Sequence, residues 1–413
     1  MPRFYHIAAS KMQTQAAYAL PEVGILPLCV PPRPQRFTCS ISARARGAVC
    51  CVTMHYDRPN PHAAGLDELA GRFRRFATTE VEETSPLYYA LALAVAGDRD
   101  LLRLAAEAQP GQPPANMLLG AVHLLMLRET DHPLAGFFPD LTDSPAPPAA
   151  AAPTLRAFCL ERRDVITAIL RTRLVQTNEL RRCAYLLPAF SHVAGMARAP
   201  LALVEVGASA GLNLLFDRYA YRYQLDGMAL RAGDPASPVL IDTVCTEHDG
   251  AELPLGMPAI EQRAGIDLNP VDLAADDAYD WLRALIWPEH GDRAARLEAA
   301  RRLWLAQPPD LVCGDAVEQL PAVLDALPES VAPVVFHTHV LNQVTPAAAA
   351  ALEALIVDLS ARRTIYRIGN DLGGGTPKQY VLRLRTYRRG IMHETILAHT
   401  DGHARLIEWL ASP

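Results

Sequence analysis

At Leu201 the hydrophobic rhythm of this 413-residue chain changes, and that change limits the folds open to it. Leu201-Ala202-Leu203-Val204-Glu205-Val206 is a short aliphatic run. Gly207-Ala208-Ser209-Ala210-Gly211 follows at once, and a helical pattern then runs from Leu212 to Tyr219. Strand, tight turn and helix together open a parallel sheet, because parallel strands need a crossover between them. The same grammar returns at residues 263–267, 310–315, 332–337 and 364–368, with helical stretches at 276–286, 292–306, 316–326 and 346–362. Strands alternating with helices predict a parallel sheet covered on both faces. The tail differs. Tyr380–Tyr387, Ile391–His399 and Ala404–Trp409 read as strands joined by turns at Arg389-Gly390 and Asp401-Gly402, an antiparallel edge on the parallel sheet.

Upstream of Leu201 the period is helical, so residues 60–198 are expected to form an all-α domain and residues 200–413 an α/β domain. Leu66, Leu69, Phe73 and Phe76 recur at three- and four-residue spacing, while Arg72, Arg74 and Arg75 are expected to point away from that stripe. Ser85-Pro86 supplies an N-cap and an N1 proline for a helix over 87–96. Asn116–Arg128, Leu155–Arg173 and Asn178–Ala197 continue the pattern, the last broken or kinked near Pro188. The Pro/Ala-rich stretch at 143–154 reads as an exposed loop. Residues 1–55 carry six Lys/Arg, one acid (Glu22) and no sustained period. They read as a poorly ordered N-terminus, either over-extended with Met54 as initiator or a targeting segment.

Composition excludes several classes. Half the residues are apolar, which is enough for a sizeable core, and the net charge of -6 gives no reason to expect nucleic acid or an anionic membrane as partner. No apolar run reaches the ~18 residues needed to span a bilayer. The eight cysteines show no CxxC and no zinc-like spacing, so the expectation is buried thiols in a cytoplasmic protein without a metal.

The chemistry is expected at the ends of the strands. Glycines in a turn after the first strand let backbone N–H groups approach a ligand closely. Asp267 ends the second strand, where a carboxylate accepts ribose hydroxyls, and Asp315 ends the third, placed to receive an adenine amino group. Each aspartate alone also fits an ordinary loop or N-cap. The fourth strand runs into His337-Thr338-His339, either of whose imidazoles is a candidate to take the acceptor's proton near neutral pH, or simply to bond backbone. Gln176–Glu179 is a candidate to reach over the pocket, and Trp281, Trp287 and His290 to line an acceptor cleft.

The order Glu-x-Gly-x-x-x-Gly at 205–211, Gly-Ile-Asp-Leu-Asn-Pro at 265–270 and Gly-Asp-Ala at 314–316 resembles the first three motifs of class I S-adenosylmethionine-dependent methyltransferases. The likeness covers about residues 200–370. It implies a Rossmann-like, mostly parallel sheet and S-adenosylmethionine as cofactor. Glu205, Gly207, Ala208, Ser209 and Gly211 would lie at the methionine end, Asp267 with Leu268 at the ribose, and Asp315 with Ala316 at the adenine. The acceptor is not identified by it, nor is the oligomeric state. Over residues 66–413 the chain also resembles, more closely, the uncharacterised bacterial domain-of-unknown-function family numbered 2332. That likeness is carried by Ser85-Pro86-Leu87-Tyr88, Gln176-Thr177-Asn178-Glu179, the glycine turn at 207–211, residues 233–238 and Trp287-Pro288-Glu289-His290.

Two departures stand out. Ser209 replaces the middle glycine, and about 60 residues separate Glu205 from Asp267 where about 20 are usual. Residues 221–262 are therefore an insertion, expected as a hairpin that covers the pocket as a lid. Gly207-Ala208-Ser209-Ala210-Gly211 also matches G-x-S-x-G, the hydrolase nucleophile elbow. A hydrolase using Ser209 and a non-enzymatic cofactor sensor therefore remain alternatives to methyl transfer.

Overall fold

The computed structural model describes residues 65–247, 251–372 and 380–411, which belong to one compact unit. The expectations for residues 1–55 lie outside the described residues. The chain opens with α1 (Leu66–Phe76), which buries Leu69, Ala70, Phe73 and Phe76 and runs into a π-helical turn, Ala77–Val81. Then come α2 (Pro86–Gly97), α3 (Arg99–Ala105) and α4 (Pro114–Arg128). Ser85 caps α2 as its type predicts, with Oγ accepting from the Tyr88 amide at 3.3 Å. The helical period over 155–173 resolves into two helices, α5 (Ala152–Glu161) and α6 (Arg163–Thr172).

Next, α7 (Cys183–Ala197) runs through Pro188 without the expected break. Proline removes the N–H that the Ala184 carbonyl would accept. Tyr223 Oη donates to that carbonyl instead, at 2.9 Å, so a side chain from a distant strand restores the lost bond.

The sheet begins with β1 (Leu201–Val206), followed by a short 3-10 segment, Leu212–Arg218. In chain order the remaining strands are β2 (Ala220–Leu225), β3 (Met228–Gly233), β4 (Leu240–Glu247), β5 (Ile260–Asp267), β6 (Asp310–Cys313), β7 (Ala332–Thr338), β8 (Ile365–Leu372), β9 (Tyr380–Arg388), β10 (Ile391–Thr400) and β11 (Leu406–Trp409). Between them lie α8 (Asp276–Ala284), α9 (Gly291–Ala306), α10 (Ala316–Asp325) and α11 (Pro346–Leu359). All eleven described strands join one sheet in the order β3-β2-β4-β11-β10-β9-β8-β7-β1-β5-β6.

The strands β6-β5-β1-β7-β8 are parallel, and their order reverses at β1, the mark of a doubly wound sheet. Antiparallel β9 and β10 follow, joined through Arg389 and Gly390, both at positive φ. This is a mixed α/β fold: a large, mostly parallel sheet, a helical N-terminal region and antiparallel strands at the C-terminal side.

The insertion is no lid. Its hairpin β2–β3 turns through Asp226 and Gly227, both at positive φ, and β4 pairs in parallel with β11. The alternation of Tyr221, Tyr223 and Leu225 gives β2 one buried face, which must sit on the core. The hairpin therefore lengthens the sheet at the edge opposite β6. Gly233 makes the following turn possible: its φ is +76°, and a Cβ there would lie 2.0 Å from the Tyr219 carbonyl oxygen.

Two cores meet at α8. The helical core takes in Trp281, Ala284 and Leu285. Close approach requires Gly120 on α4, where a Cβ would lie 3.1 Å from Leu285 Cδ2. Trp281 donates its indole N–H to the Leu174 carbonyl at 2.8 Å. Trp281 and Trp287 are thus packing residues, the latter edge-on to Phe76. Cys159, Cys183 and Cys245 are buried free thiols and Cys313 is exposed. No helix of the described residues is long and apolar enough to cross a membrane.

Candidate functional site

A cavity of about 580 Å³ lies over the carboxyl ends of β1, β5 and β7, closed from the other side by the helical region. Its floor is the turn after β1. Gly207, Ser209 and Gly211 all have positive φ, at +72°, +53° and +71°. The glycines are needed because strand ends crowd them. A Cβ on Gly207 would lie 2.5 Å from Val340 Cγ2, and one on Gly211 would lie 2.7 Å from Pro309 Cγ. The turn hooks onto the neighbouring strand through Gly207 and Ala208 amides, which both donate to the Ile266 carbonyl (2.8 and 3.3 Å).

Asp267 fixes this floor. Its Oδ2 accepts from the Ser209 amide at 2.8 Å, while Oδ1 accepts from the Asn269 amide at 2.8 Å and from Gln176 Nε2 at 3.1 Å. Gln176 also exchanges two bonds with Asn269. The Gln-Thr-Asn-Glu segment does reach the pocket rim. Next in it, Asn178 Oδ1 accepts from the Leu212 amide at 3.0 Å. Glu179 is buried in an ion pair with Arg293 at 2.5 Å. Burial opposes its charge, but Arg293 and His403 hold the carboxyl well below the usual range.

Of the residues predicted to hold a cofactor, Gly207, Ser209, Asp267, Leu268 and Ala316 line the cavity, whereas Glu205, Ala208, Gly211 and Asp315 lie behind the lining. Asp315 is buried and caps α10, accepting from the Val317 amide at 2.8 Å. Glu205 is fully buried. Its Oε1 accepts from Asn213 Nδ2 at 2.7 Å, and its Oε2 has no hydrogen-bond partner among the described residues. Burial, reinforced by the Asp267 charge, pushes this carboxyl up to about 8.

The histidines stand apart from the cavity. His337 is buried beside Gly369, with Arg367 Nη2 3.2 Å from its Nε2. Burial and the Arg367 charge keep it neutral, well below the usual imidazole range. His339, at φ +59°, stacks on Tyr380 with ring centroids 4.1 Å apart, and burial with Arg182 lowers it to about 2. His290 is also absent from the lining, and burial lowers it to about 4. No group of three or more His, Cys, Asp or Glu suited to a metal occurs among the described residues.

Beyond Gln176–Asn178, sequence reasoning missed the helical wall. Arg72, Arg75, Phe76 and Thr79 face the cavity from α1 and the π-helical turn, and Gln112–Asn116 face it from the start of α4. Only packing brings these segments over the sheet, so no local pattern marks them. Arg182 lines it too, with Nη1 donating to the Thr338 hydroxyl at 3.2 Å.

Ser209 does not have a nucleophile's surroundings. Its Oγ is buried without a hydrogen-bond partner among the described residues, and no histidine lines the cavity. The positive φ costs a non-glycine residue roughly 1 kcal/mol. Ser209→Gly should therefore raise stability by about 1 kcal/mol and leave the fold intact. Wild-type protein should resist a fluorophosphonate probe; covalent labelling at Ser209 would put the hydrolase reading ahead of methyl transfer.

Fold and site together define an α/β protein with a cavity at the switch point of a doubly wound sheet. The chain belongs to the family described as "Uncharacterized protein conserved in bacteria (DUF2332)", whose model matches residues 70–409. No curated protein and no solved structure matches it. Two of the segments that carried the family likeness are tied together in space. Glu289 of Trp-Pro-Glu-His accepts from the Leu87 amide at 2.8 Å and from Ser85 Oγ at 2.5 Å, fixing the start of α2.

Proposed function

We propose that this protein binds S-adenosylmethionine in the cavity and transfers its methyl group to an acceptor held against the helical wall. The observation that carries this reading is the cavity's position at the carboxyl ends of β1 and β7, where the strand order reverses and such sheets bind nucleotide-type ligands. Its volume suits a ligand of that size. The lining also suits the chemistry. Asp267 offers carboxylate oxygens beside the glycine turn, Leu268 and Ala316 give apolar surface for a base, and Arg182 leaves a buried Nε–H without a partner among the described residues.

The cofactor supplies an electrophilic methyl on a sulfonium. The chain's part is alignment and exclusion of water, which needs few ionisable groups. Asp267 holds hydroxyls once the Gln176 amide moves off Oδ1. Phe76 and the π-helical turn shield the reacting centre from solvent. Because His337 and His339 lie outside the lining, proton removal falls to the acceptor itself or to water. The cytoplasm, where reduced thiols persist, is the compartment we assign to this activity.

S-adenosylmethionine or its demethylated product at 100 times its Kd should stabilise the protein by about 2.7 kcal/mol, read as a rise in Tm. Calorimetry that finds no heat with either compound at millimolar concentration would sink the assignment. Binding without turnover across a panel of acceptors would leave a cofactor-binding sensor.

A further inference from the structure

We propose that the helical wall of the cavity is an oxyanion site that holds a phosphate or carboxylate group. Three independent features converge there. First, α4 begins at the cavity without a cap. Pro113 at the N-cap position has no side-chain acceptor, Pro114 has no amide hydrogen, and the first helical bond is Met117 N–H to the Pro113 carbonyl at 3.0 Å. The Ala115 and Asn116 amides thus have no backbone partner among the described residues, and both residues line the cavity. The N-terminus of a fifteen-residue helix carries partial positive charge and favours an anion.

Second, Gln112 is only 8% exposed and faces the same space. Its Oε1 is taken by the Val175 amide at 2.7 Å. That fixes the orientation of the amide, so its nitrogen, with two donors and no acceptor among the described residues, is the end left for a ligand.

Third, Arg75 is exposed to solvent on the cavity lining and has no carboxylate partner among the described residues, whereas its neighbour Arg72 is bonded to Glu68 at 2.9 Å. The acids on the lining are Glu80 and Asp267. Glu80 is already engaged, and Asp267 is bonded to three donors. Backbone amides, a carboxamide NH2 and a guanidinium therefore line one cavity with no acceptor bonded to them among the described residues. A charged oxyanion satisfies all three, and bonds to charged groups are the strong ones.

That this anion belongs to the acceptor rests on the cofactor reading above; the anion site itself does not. The test is a titration of inorganic phosphate, and separately of succinate, into the full chain at constant ionic strength, followed by Tm and calorimetry. At least one of them should bind saturably, phosphate the tighter if the natural group is a phosphate ester and succinate if it is a carboxylate. Arg75→Ala should weaken that binding about tenfold or more. Gln112→Glu keeps the acceptor for Val175 and replaces the donors by an anionic oxygen, so it should abolish binding while the protein stays folded. Asp267→Ala should lose S-adenosylmethionine and keep the anion. Absence of saturable binding by both probes, or wild-type affinity in both Arg75→Ala and Gln112→Glu, overturns the proposal. Anion binding without any response to S-adenosylmethionine overturns the cofactor reading and leaves this site standing.

Discussion

Asp267→Ala should cost the protein about 3–5 kcal/mol of stability as well as at least tenfold in affinity for S-adenosylmethionine. The carboxylate accepts from two backbone amides and one side-chain amide. Hydrogen bonds to a charged acceptor are worth roughly 1.5–3 kcal/mol each, and an orphaned amide adds its own desolvation cost. The sequence suggests an acid facing a solvent cleft, removable without harm to the fold. The structure makes it the clamp between the glycine turn and the strap that carries Gln176. Asp267→Asn should lose less stability, since its one carbonyl oxygen still accepts from the Ser209 amide. Chemical denaturation of the three proteins checks this. A loss below about 0.5 kcal/mol in the alanine variant, the size of an ordinary surface change, would show that the turn holds itself.

The second large effect is a pH dependence set by Glu205. Its carboxyl is buried and raised to about 8, against about 4.3 for an unfolded glutamate. Between those values the unfolded chain releases the proton while the folded protein keeps it. Unfolding is thereby favoured, and stability falls as pH rises through the window and levels off above about 8. At about 1.36 kcal/mol per pKa unit, the loss across the window is on the order of 4–5 kcal/mol. Glu205→Gln keeps an oxygen for Asn213 Nδ2 and carries no proton to lose. Its stability advantage over wild type should therefore grow from pH 4.5 to pH 8 by that amount. Parallel stability curves for the two proteins would mean that Glu205 ionises normally.

The same residue shows how far a motif can be trusted. Glu205 is indeed at the end of the first strand, as the strand–turn–helix pattern requires, yet it faces Asn213 within the core and not the cavity. Asp315 lies two residues beyond the end of β6 and turns inward to cap α10. A motif fixes where the backbone goes; the direction of a side chain depends on neighbours that arrive from elsewhere. Asp267 keeps its place at the pocket floor because the glycine turn beside it presents an amide at 2.8 Å.

Local patterning sets the individual elements and their chirality. A period of two or an apolar run is a property of neighbouring residues, and so are a Ser-Pro helix start, a glycine at positive φ and an alternating strand. From those alone the parallel sheet, its glycine turn, the helical N-terminal region and the antiparallel tail were legible. Tertiary structure decided everything that depends on residues far apart in the chain. It paired β4 with β11, and so made the insertion a sheet edge where a lid is the sequence's expectation. It carried α7 through Pro188, because Tyr223 fills the vacant bond. It also brought Arg75, Gln112 and the start of α4 over the switch point of the sheet, as the second wall of the cavity. Arg72, Arg75, Phe76 and Thr79 share one helix face, but their spacing does not say that this face meets a cavity. Burial of the helical core against Trp281 and Leu285 holds them there.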